Sequence, residues 1–272
     1  MEVGLQVFDY EGCPIHYRLM GPEDGMLVVL THGGMVDHRI WEPQVKALVS
    51  RYRLLLWDVR GHGRSRPGGK KRSIFKMAED LAALLDFLGY SQAVLVGLSA
   101  GGWLVQEFAY RYPERVIAMA VIGQTSWTQP PFKVRLMLGS WSALLFMLVC
   151  LLIPWKFFVG GLMRAGAANA KPQTLAYLGE VFGAWTKAEF IYHTLYARGL
   201  RRDEDYRVSQ PLLIAHGEHE MDFVQKDAAA WAKREPRSRY GIIPDAGHAV
   251  NMDNPAAFNE LMLDFLAGVE NG

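Results

Sequence analysis

The chain of 272 residues has little cysteine, and neither sign of charge is in excess. Cys13 and Cys150 are far apart and match no metal-ligand spacing, which argues against a zinc site and favours a reducing compartment. Lys and Arg number 29 against 28 Asp and Glu, so nothing indicates a nucleic-acid partner. The first ten residues lack the basic and apolar segments of a secretory signal. We therefore expect a cytoplasmic protein without a metal site.

One long segment without charge raises the question of a membrane. Residues 136–153 carry no charged side chain, and their number is at the lower limit for a transmembrane helix. Glycine and serine residues interrupt the segment and Pro154 ends it, which favours a buried or substrate-facing pair of helices. We therefore expect no membrane partner, and a membrane-associated lipase stays open as an alternative.

Short apolar runs alternate with helical patterns over most of the chain. The runs lie at residues 26–30, 53–57, 93–98, 116–122 and 211–215. Such continuous runs are typical of parallel strands buried on both faces. An apolar stripe from Ile74 to Leu88 predicts a helix with Ser73 as its N-cap and Gly89 as its stop. Together with an N-terminal hairpin over residues 3–8 and 14–19, the alternation predicts an α/β fold with a doubly wound sheet.

The alternation stops between residues 124 and 208. This region is rich in Trp, Phe, Met and Leu and has no strand pattern, so we interpret it as a helical insertion, called the cap below. Residues 1–123 and 209–272 then form the core domain. Most of the aromatic side chains are expected to pack within the cap. The remainder could bind an apolar substrate, and we select Trp127, Trp141 and Trp185, together with Met35 from the core.

The sharpest motif is Gly97-Leu98-Ser99-Ala100-Gly101, between a strand pattern and a helix pattern. A serine at this junction can occupy a strained turn that projects its hydroxyl out of the sheet. Such a turn needs small neighbours two residues away on either side, and Gly97 and Gly101 provide them. We therefore predict that Ser99 is a nucleophile.

A serine nucleophile needs a histidine base and a carboxylate that orients the histidine. His248 lies on a short loop that follows an extended run and precedes the last helix pattern, which makes it the expected base. The acid should come from the loop after the run at 211–215, where we favour Glu220. Asp222 is the second choice and Glu218 the third.

An oxyanion hole needs two backbone N–H groups. We assign them to Ala100, directly after the nucleophile, and to Gly34, where a glycine pair lets the backbone approach a ligand. His32 is expected to order this loop and not to act as a catalyst.

Four segments together resemble the α/β-hydrolase superfamily, in its order and at its usual spacing. They are His32-Gly33-Gly34, Asp58-x-Arg60-Gly61-His62-Gly63-x-Ser65, Gly97-x-Ser99-x-Gly101 and Gly247-His248. The resemblance covers the core domain and implies a mostly parallel sheet of eight strands with the cap as the family's variable helical insertion. It supports Ser99 and His248 and implies an acid at position 220, where family members normally have aspartate. It implies no cofactor, and the serine argues against the aspartate-dependent dehalogenases and epoxide hydrolases.

The expected reaction is acyl transfer to water through an acyl-enzyme on Ser99. The apolar cap favours a small or medium apolar ester or lactone as the substrate, and this small acyl compound is the expected binding partner. A carbon–carbon bond hydrolase of ring-cleavage products is an alternative, with Arg164 or Arg198 to bind the substrate carboxylate. A non-catalytic, ligand-sensing protein of the same fold is another, and a homodimer is left open.

Overall fold

A computed structural model of the chain describes residues 4–69, 73–129, 148, 152–166, 170–194, 203, 205–235 and 237–271, with side chains omitted at 162, 164–166 and 192–194. Its centre is an eight-stranded sheet. The strands are Gln6–Tyr10 (β1), Cys13–Met20 (β2), Leu27–Thr31 (β3), Arg53–Trp57 (β4), Ala93–Leu98 (β5), Val116–Ile122 (β6), Leu212–Gly217 (β7) and Ser238–Ile243 (β8). Their order across the sheet is β1-β2-β4-β3-β5-β6-β7-β8. Only the pairings β1–β2 and β2–β4 are antiparallel among these strands.

The described helices belong to the core and to the cap. They are Glu42–Leu48 (α1), Ile74–Phe87 (α2), Ala100–Arg111 (α3), Trp155–Gly166 (α4), Pro172–Gly183 (α5), Lys187–Thr194 (α6), Asp222–Arg234 (α7), Val250–Asp253 (α8) and Pro255–Glu270 (α9). Within the described ranges, every helix is too short or too polar to cross a bilayer. The charge-free segment at 136–153 lies almost entirely outside those ranges.

The central strands are covered on both faces, which confirms the doubly wound arrangement. Along β5, Leu95 packs with one apolar cluster, while Val94 and Val96 pack with the other. The first cluster includes side chains of α2, α3 and α7, and the second includes those of α1 and α9. Successive residues of a strand point to opposite faces, so a run that is apolar throughout satisfies both layers.

Local signals set the ends of the helices. The hydroxyl of Ser73 accepts a hydrogen bond from the backbone N–H of Lys76, which makes it the N-cap of α2 as predicted. Gly89, just beyond the end of α2, has a φ of +79°. This left-handed conformation favours glycine and ends the helix.

Candidate active site

Ser99 lies at the junction of β5 and α3, in a backbone conformation that few residues adopt. Its φ is 52° and its ψ is −123°. The turn is held by a hydrogen bond of 2.8 Å from the N–H of Ser99 to the carbonyl of Ile122 at the end of β6. Such contacts hold Ser99 in a strained conformation that it would not adopt by itself. In this conformation its hydroxyl projects beyond the end of the sheet.

The glycines on either side of Ser99 permit this turn by allowing close backbone approach. A Cβ on Gly97 would lie 2.3 Å from the carbonyl oxygen of Gly101, and a Cβ on Gly101 would lie 2.5 Å from the carbonyl oxygens of Thr31 and His32. Both distances are too short for any side chain. The spacing of glycines around Ser99 is therefore a steric requirement of the junction.

The side chains of Ser99, His248 and Glu220 are hydrogen-bonded in sequence. Nε2 of His248 lies 2.8 Å from Oγ of Ser99, and Nδ1 of the same ring lies 2.7 Å from Oε2 of Glu220. With Nδ1–H donating to the carboxylate, Nε2 is left as the acceptor for the serine hydroxyl. The second carboxylate oxygen, Oε1, accepts the N–H of Met221 at 2.9 Å. The arrangement can transfer a proton from Ser99 to His248 while Glu220 stabilises the resulting imidazolium.

The charge of Glu220 and the proton affinity of His248 depend on each other. Burial by itself would raise the pKa of Glu220, but the imidazole of His248 and the N–H of Met221 lower it below its usual range. Burial would likewise lower the pKa of His248, but Glu220, by attraction and hydrogen bonding, raises it above its usual range. Glu220 is thus ionised at neutral pH, and His248 is poised to accept a proton.

The other acids of the same loop lie at the surface. Asp222 is exposed and begins α7, and Glu218 is exposed and accepts the backbone N–H of Asp245. The structure therefore brings Glu220 to His248, whereas Asp222 and Glu218 lie at the surface.

Gly123 is a residue of this site that the sequence motifs did not identify. It follows β6 with a φ of +60°, and a Cβ there would lie 3.0 Å from Oε2 of Glu220 and 3.4 Å from Nδ1 of His248. The absence of a side chain leaves room for the carboxylate of a glutamate, which reaches one methylene further than an aspartate. In the sequence, Gly123 is marked only as a glycine directly after a buried strand. Glycines at such positions are too common to identify a residue of an active site.

The loop after β3 provides the other side of the site. A Cβ on Gly33 would lie 3.2 Å from Cβ of Ser99, so the backbone before Gly34 approaches the nucleophile closely. His32 orders the loop as predicted: its Nδ1–H donates to the carbonyl of Gly33 at 2.7 Å, and its Nε2 accepts the N–H of Val59 at 2.9 Å. Burial lowers the pKa of His32, which keeps the ring neutral. Ala100 is the first residue of α3, so its N–H has no acceptor within that helix.

Met35 connects this loop to the cap. It is buried against Trp185 and Phe190, and the ring centroid of Trp185 lies 5.1 Å from that of His62. Met35 and Trp185 also line a cavity of about 360 Å³ between α5 and the loops after β3 and β4. Two of the predicted substrate-binding residues thus lie at the boundary of core and cap.

Trp127 lies apart from Met35 and Trp185. Its side chain is fully buried in the core, with Nε1 donating to Glu107 at 2.8 Å and its ring against that of Trp103. It does not line the cavity that Met35 and Trp185 line, and its role in substrate binding stays a prediction. Trp141 and Arg198 lie outside the described residues, and the side chain of Arg164 lies outside the described part as well.

Among the described residues, one group has the spacing of metal ligands. The ligand atoms of Glu218, His219 and Asp245 lie within 4.8 Å of one another, and all three residues are exposed. None of the three contacts Ser99 in the described hydrogen bonds.

A protein-family model described as the alpha/beta hydrolase family matches residues 28–261. The chain belongs to this family. The match covers most of the chain of this α/β hydrolase, from β3 through the cap to α9. Membership of the family supports hydrolysis as the general activity.

Relatives of this α/β hydrolase are named for the hydrolysis of several kinds of acyl compound. The chain is 26% identical over 260 residues to a Caulobacter protein named as a carbamate hydrolase, with 91% of this chain and 93% of the relative covered. It is 24% identical over 272 residues to 3-oxoadipate enol-lactonase 1 of Acinetobacter baylyi, with 98% of each chain covered. A solved thermophilic esterase from Thermogutta terrifontis has the same fold, with a TM-score of 0.81, 22% identity and 97% of each chain covered.

Proposed function

We propose that the protein is a serine hydrolase that cleaves small to medium apolar carboxylic esters or lactones. The observation that carries the proposal is the continuous series of hydrogen bonds from Ser99 Oγ through His248 to Glu220, with Ser99 held in a strained turn. A structural serine gains nothing from this geometry, whereas a nucleophile needs each part of it.

The reaction proceeds in two acyl transfers. Oγ of Ser99 attacks the carbonyl carbon while its proton moves to Nε2 of His248, and the backbone N–H groups of Gly34 and Ala100 stabilise the negative charge on the carbonyl oxygen. His248 then gives the proton to the departing alkoxide, and the acyl-enzyme forms. Water attacks the acyl-enzyme by the same proton transfers in reverse, which releases the acid and restores Ser99. No metal or organic cofactor takes part in these steps.

The substrate class rests on the boundary of core and cap. Met35, directly after the proposed oxyanion residue, packs with Trp185 and Phe190, which puts an apolar cluster next to the oxyanion loop. Apolar side chains favour an acyl or alcohol group without charge. Two relatives are named for hydrolysis of a carbamate and of an enol-lactone, both of which present an acyl carbon to a nucleophile, and the same chemistry applies to an apolar ester.

The proposal is tested by mass spectrometry after treatment with a fluorophosphonate, followed by p-nitrophenyl acyl esters of increasing chain length. We expect one adduct, on Ser99, and turnover with an optimum at short to medium chains. Ser99→Ala should show neither adduct nor turnover, with an unchanged circular dichroism spectrum. The same esters should be compared with simple lactones and with p-nitrophenyl carbamates.

Other outcomes would favour the alternatives. A folded protein that gives no adduct would overturn the proposal and support a ligand-sensing role. An adduct with turnover of a vinylogous diketo acid, but of no ester or lactone, would indicate carbon–carbon bond hydrolysis.

A further inference from the structure

The loop that carries His248 is attached to a buried carboxylate. Asp253, 4% exposed, accepts the backbone N–H of Gly247 through Oδ2 at 3.0 Å. Gly247 directly precedes His248, so this hydrogen bond constrains the backbone on which the imidazole is mounted. Asp253 does not contact Ser99 or Glu220 in the described hydrogen bonds. It acts on the position of His248 through the loop, and its negative charge also helps to raise the pKa of His248.

The same carboxylate binds the cap. Oδ1 of Asp253 accepts the hydroxyl of Thr174 at 2.8 Å and the backbone N–H of Lys171 at 3.1 Å. Both donors belong to the first turn of α5, where backbone N–H groups lack intrahelical acceptors and a negative charge is stabilising. Thr174 is fully buried. The two oxygens of one side chain therefore join a cap helix to the loop of the histidine.

A separate contact attaches this segment to the core. The side chain of Asn251 donates to the carbonyl of Ile40 at 2.7 Å and to the side chain of Gln44 at 2.9 Å. α8, which contains both Asn251 and Asp253, is thus anchored whether or not the cap is seated. Breaking only the cap-side bonds should leave the fold of the loop in place and change its exact position.

We propose that Asp253 is a positioning residue that couples the seating of cap helix α5 to the alignment of His248. When α5 is seated, Thr174 and Lys171 occupy Oδ1 and fix the carboxylate, and Oδ2 then holds the Gly247–His248 backbone. When α5 moves away, the carboxylate is free to rotate and the hydrogen bond from the Ser99 hydroxyl to Nε2 of His248 lengthens. The hydrolase would therefore be fully active only with the cap in place. This inference rests on the proposed function.

Two variants remove the cap-side bonds by different chemistry. Thr174→Val deletes the hydroxyl and keeps the shape of the side chain. Lys171→Pro deletes the backbone N–H at a position whose φ of −68° proline can adopt. Thr174→Ser restores the hydroxyl and serves as the conservative rescue. Thr186→Val is the matched control, because Thr186 makes its hydrogen bonds with Glu189 inside the cap.

Each variant is measured for kcat and KM with a p-nitrophenyl ester and for the downfield proton resonance of His248 Nδ1–H, which needs no substrate. We expect Thr174→Val and Lys171→Pro each to lower kcat about 10-fold, with KM changed less than about twofold, because the lost alignment acts on the transition state. The Nδ1–H resonance should move upfield and broaden. Thr174→Ser should restore both readouts, and Thr186→Val should leave both at the wild-type values.

The proposal is overturned if both variants fold and keep the wild-type kcat and resonance, or if kcat falls while the resonance does not change. If one variant fails to fold, the other decides. A wild-type protein that neither reacts with the fluorophosphonate nor turns over esters would overturn the proposed function and this inference together. A reactive wild type with unaffected variants would overturn this inference alone.

Discussion

The backbone of Ser99 is strained, because a φ of 52° with a ψ of −123° is unfavourable for any residue with a Cβ. Glycine adopts such a conformation without this cost. Ser99→Gly and Ser99→Ala both remove the hydroxyl and its hydrogen bond to His248. We expect Ser99→Gly to be more stable than Ser99→Ala by about 1 kcal/mol, measured by urea unfolding. Equal stability of the two variants would show that the turn is not strained.

Glu220 controls the pH at which His248 is neutral. His248 must be unprotonated to accept the proton of Ser99, so activity falls as the pH decreases through its raised pKa. Glu220→Gln removes the attraction that raises this pKa. The acidic limb of the pH–rate profile should therefore move to lower pH, while the plateau falls by about 10³-fold or more.

Asp222→Asn is the control for this experiment, since Asp222 is exposed at the start of α7. We expect its plateau rate and acidic limb to stay within about twofold of wild type. A larger loss in Asp222→Asn than in Glu220→Gln would assign the acid to Asp222.

At the scale of elements, the strands were predicted well because their apolar runs are unambiguous. β4, β5 and β6 lie at the predicted residues, and β3 and β7 are shifted by one or two residues. β8 begins at Ser238, two residues before the extended run at residues 240–243 that was expected ahead of the His248 loop, because its first two residues are polar. The helices of the cap could be expected as a group, but their bounds could not, because several glycines and prolines interrupt a region whose apolar residues are not confined to one helical face.

Residues of the candidate site could be predicted where the chemistry requires a particular residue type. They were harder to predict where the only requirement is the available space. Ser99, His248 and Glu220 followed from motif and chain order. Trp127 was selected for its residue type, but the fold encloses it against α3. Gly123 was missed because it matters by lacking a side chain beside Glu220 and His248. The sequence does not show that these residues are neighbours in space.

Gly123→Ala tests that role at the junction after β6. The added methyl group meets the Glu220 carboxylate at 3.0 Å, and the φ of +60° is itself unfavourable for alanine. We expect kcat to fall about 10-fold or more as the carboxylate is displaced from His248. Gly179→Ala in the exposed middle of α5, with no atom near the new methyl group, should keep full activity and gain up to about 1 kcal/mol of stability. Wild-type kcat in Gly123→Ala would contradict the steric argument.

At the scale of the whole molecule, one buried acid lowers the stability near neutral pH. Asp227 on α7 accepts the N–H of Ser126 just after β6, and burial raises its pKa to about 6. The folded protein therefore binds a proton more tightly than the unfolded chain, and the free energy of unfolding decreases as the pH rises between about 4 and this value.

Asp227→Asn should remove this pH dependence, because the amide oxygen can still accept the N–H of Ser126. We expect the variant to be more stable than wild type by about 2 kcal/mol near neutral pH, and equally stable below about pH 4. Urea unfolding at both pH values provides the measurement. A variant that is less stable near neutral pH would mean that the ionised carboxylate is stabilising.

The order of strands in the sheet has a consequence for the time course of folding. Strands β6, β7 and β8 are added at one edge in the order of the chain, and each brings residues that surround the nucleophile. An intermediate that contains β1 to β6 already has Ser99 at its turn, but the histidine arrives only after β8 has paired with β7. Contacts between residues this far apart in sequence form slowly. Recovery of catalysis during refolding should therefore lag behind the recovery of secondary structure. The rate at which activity returns then reports the pairing of β8 with β7.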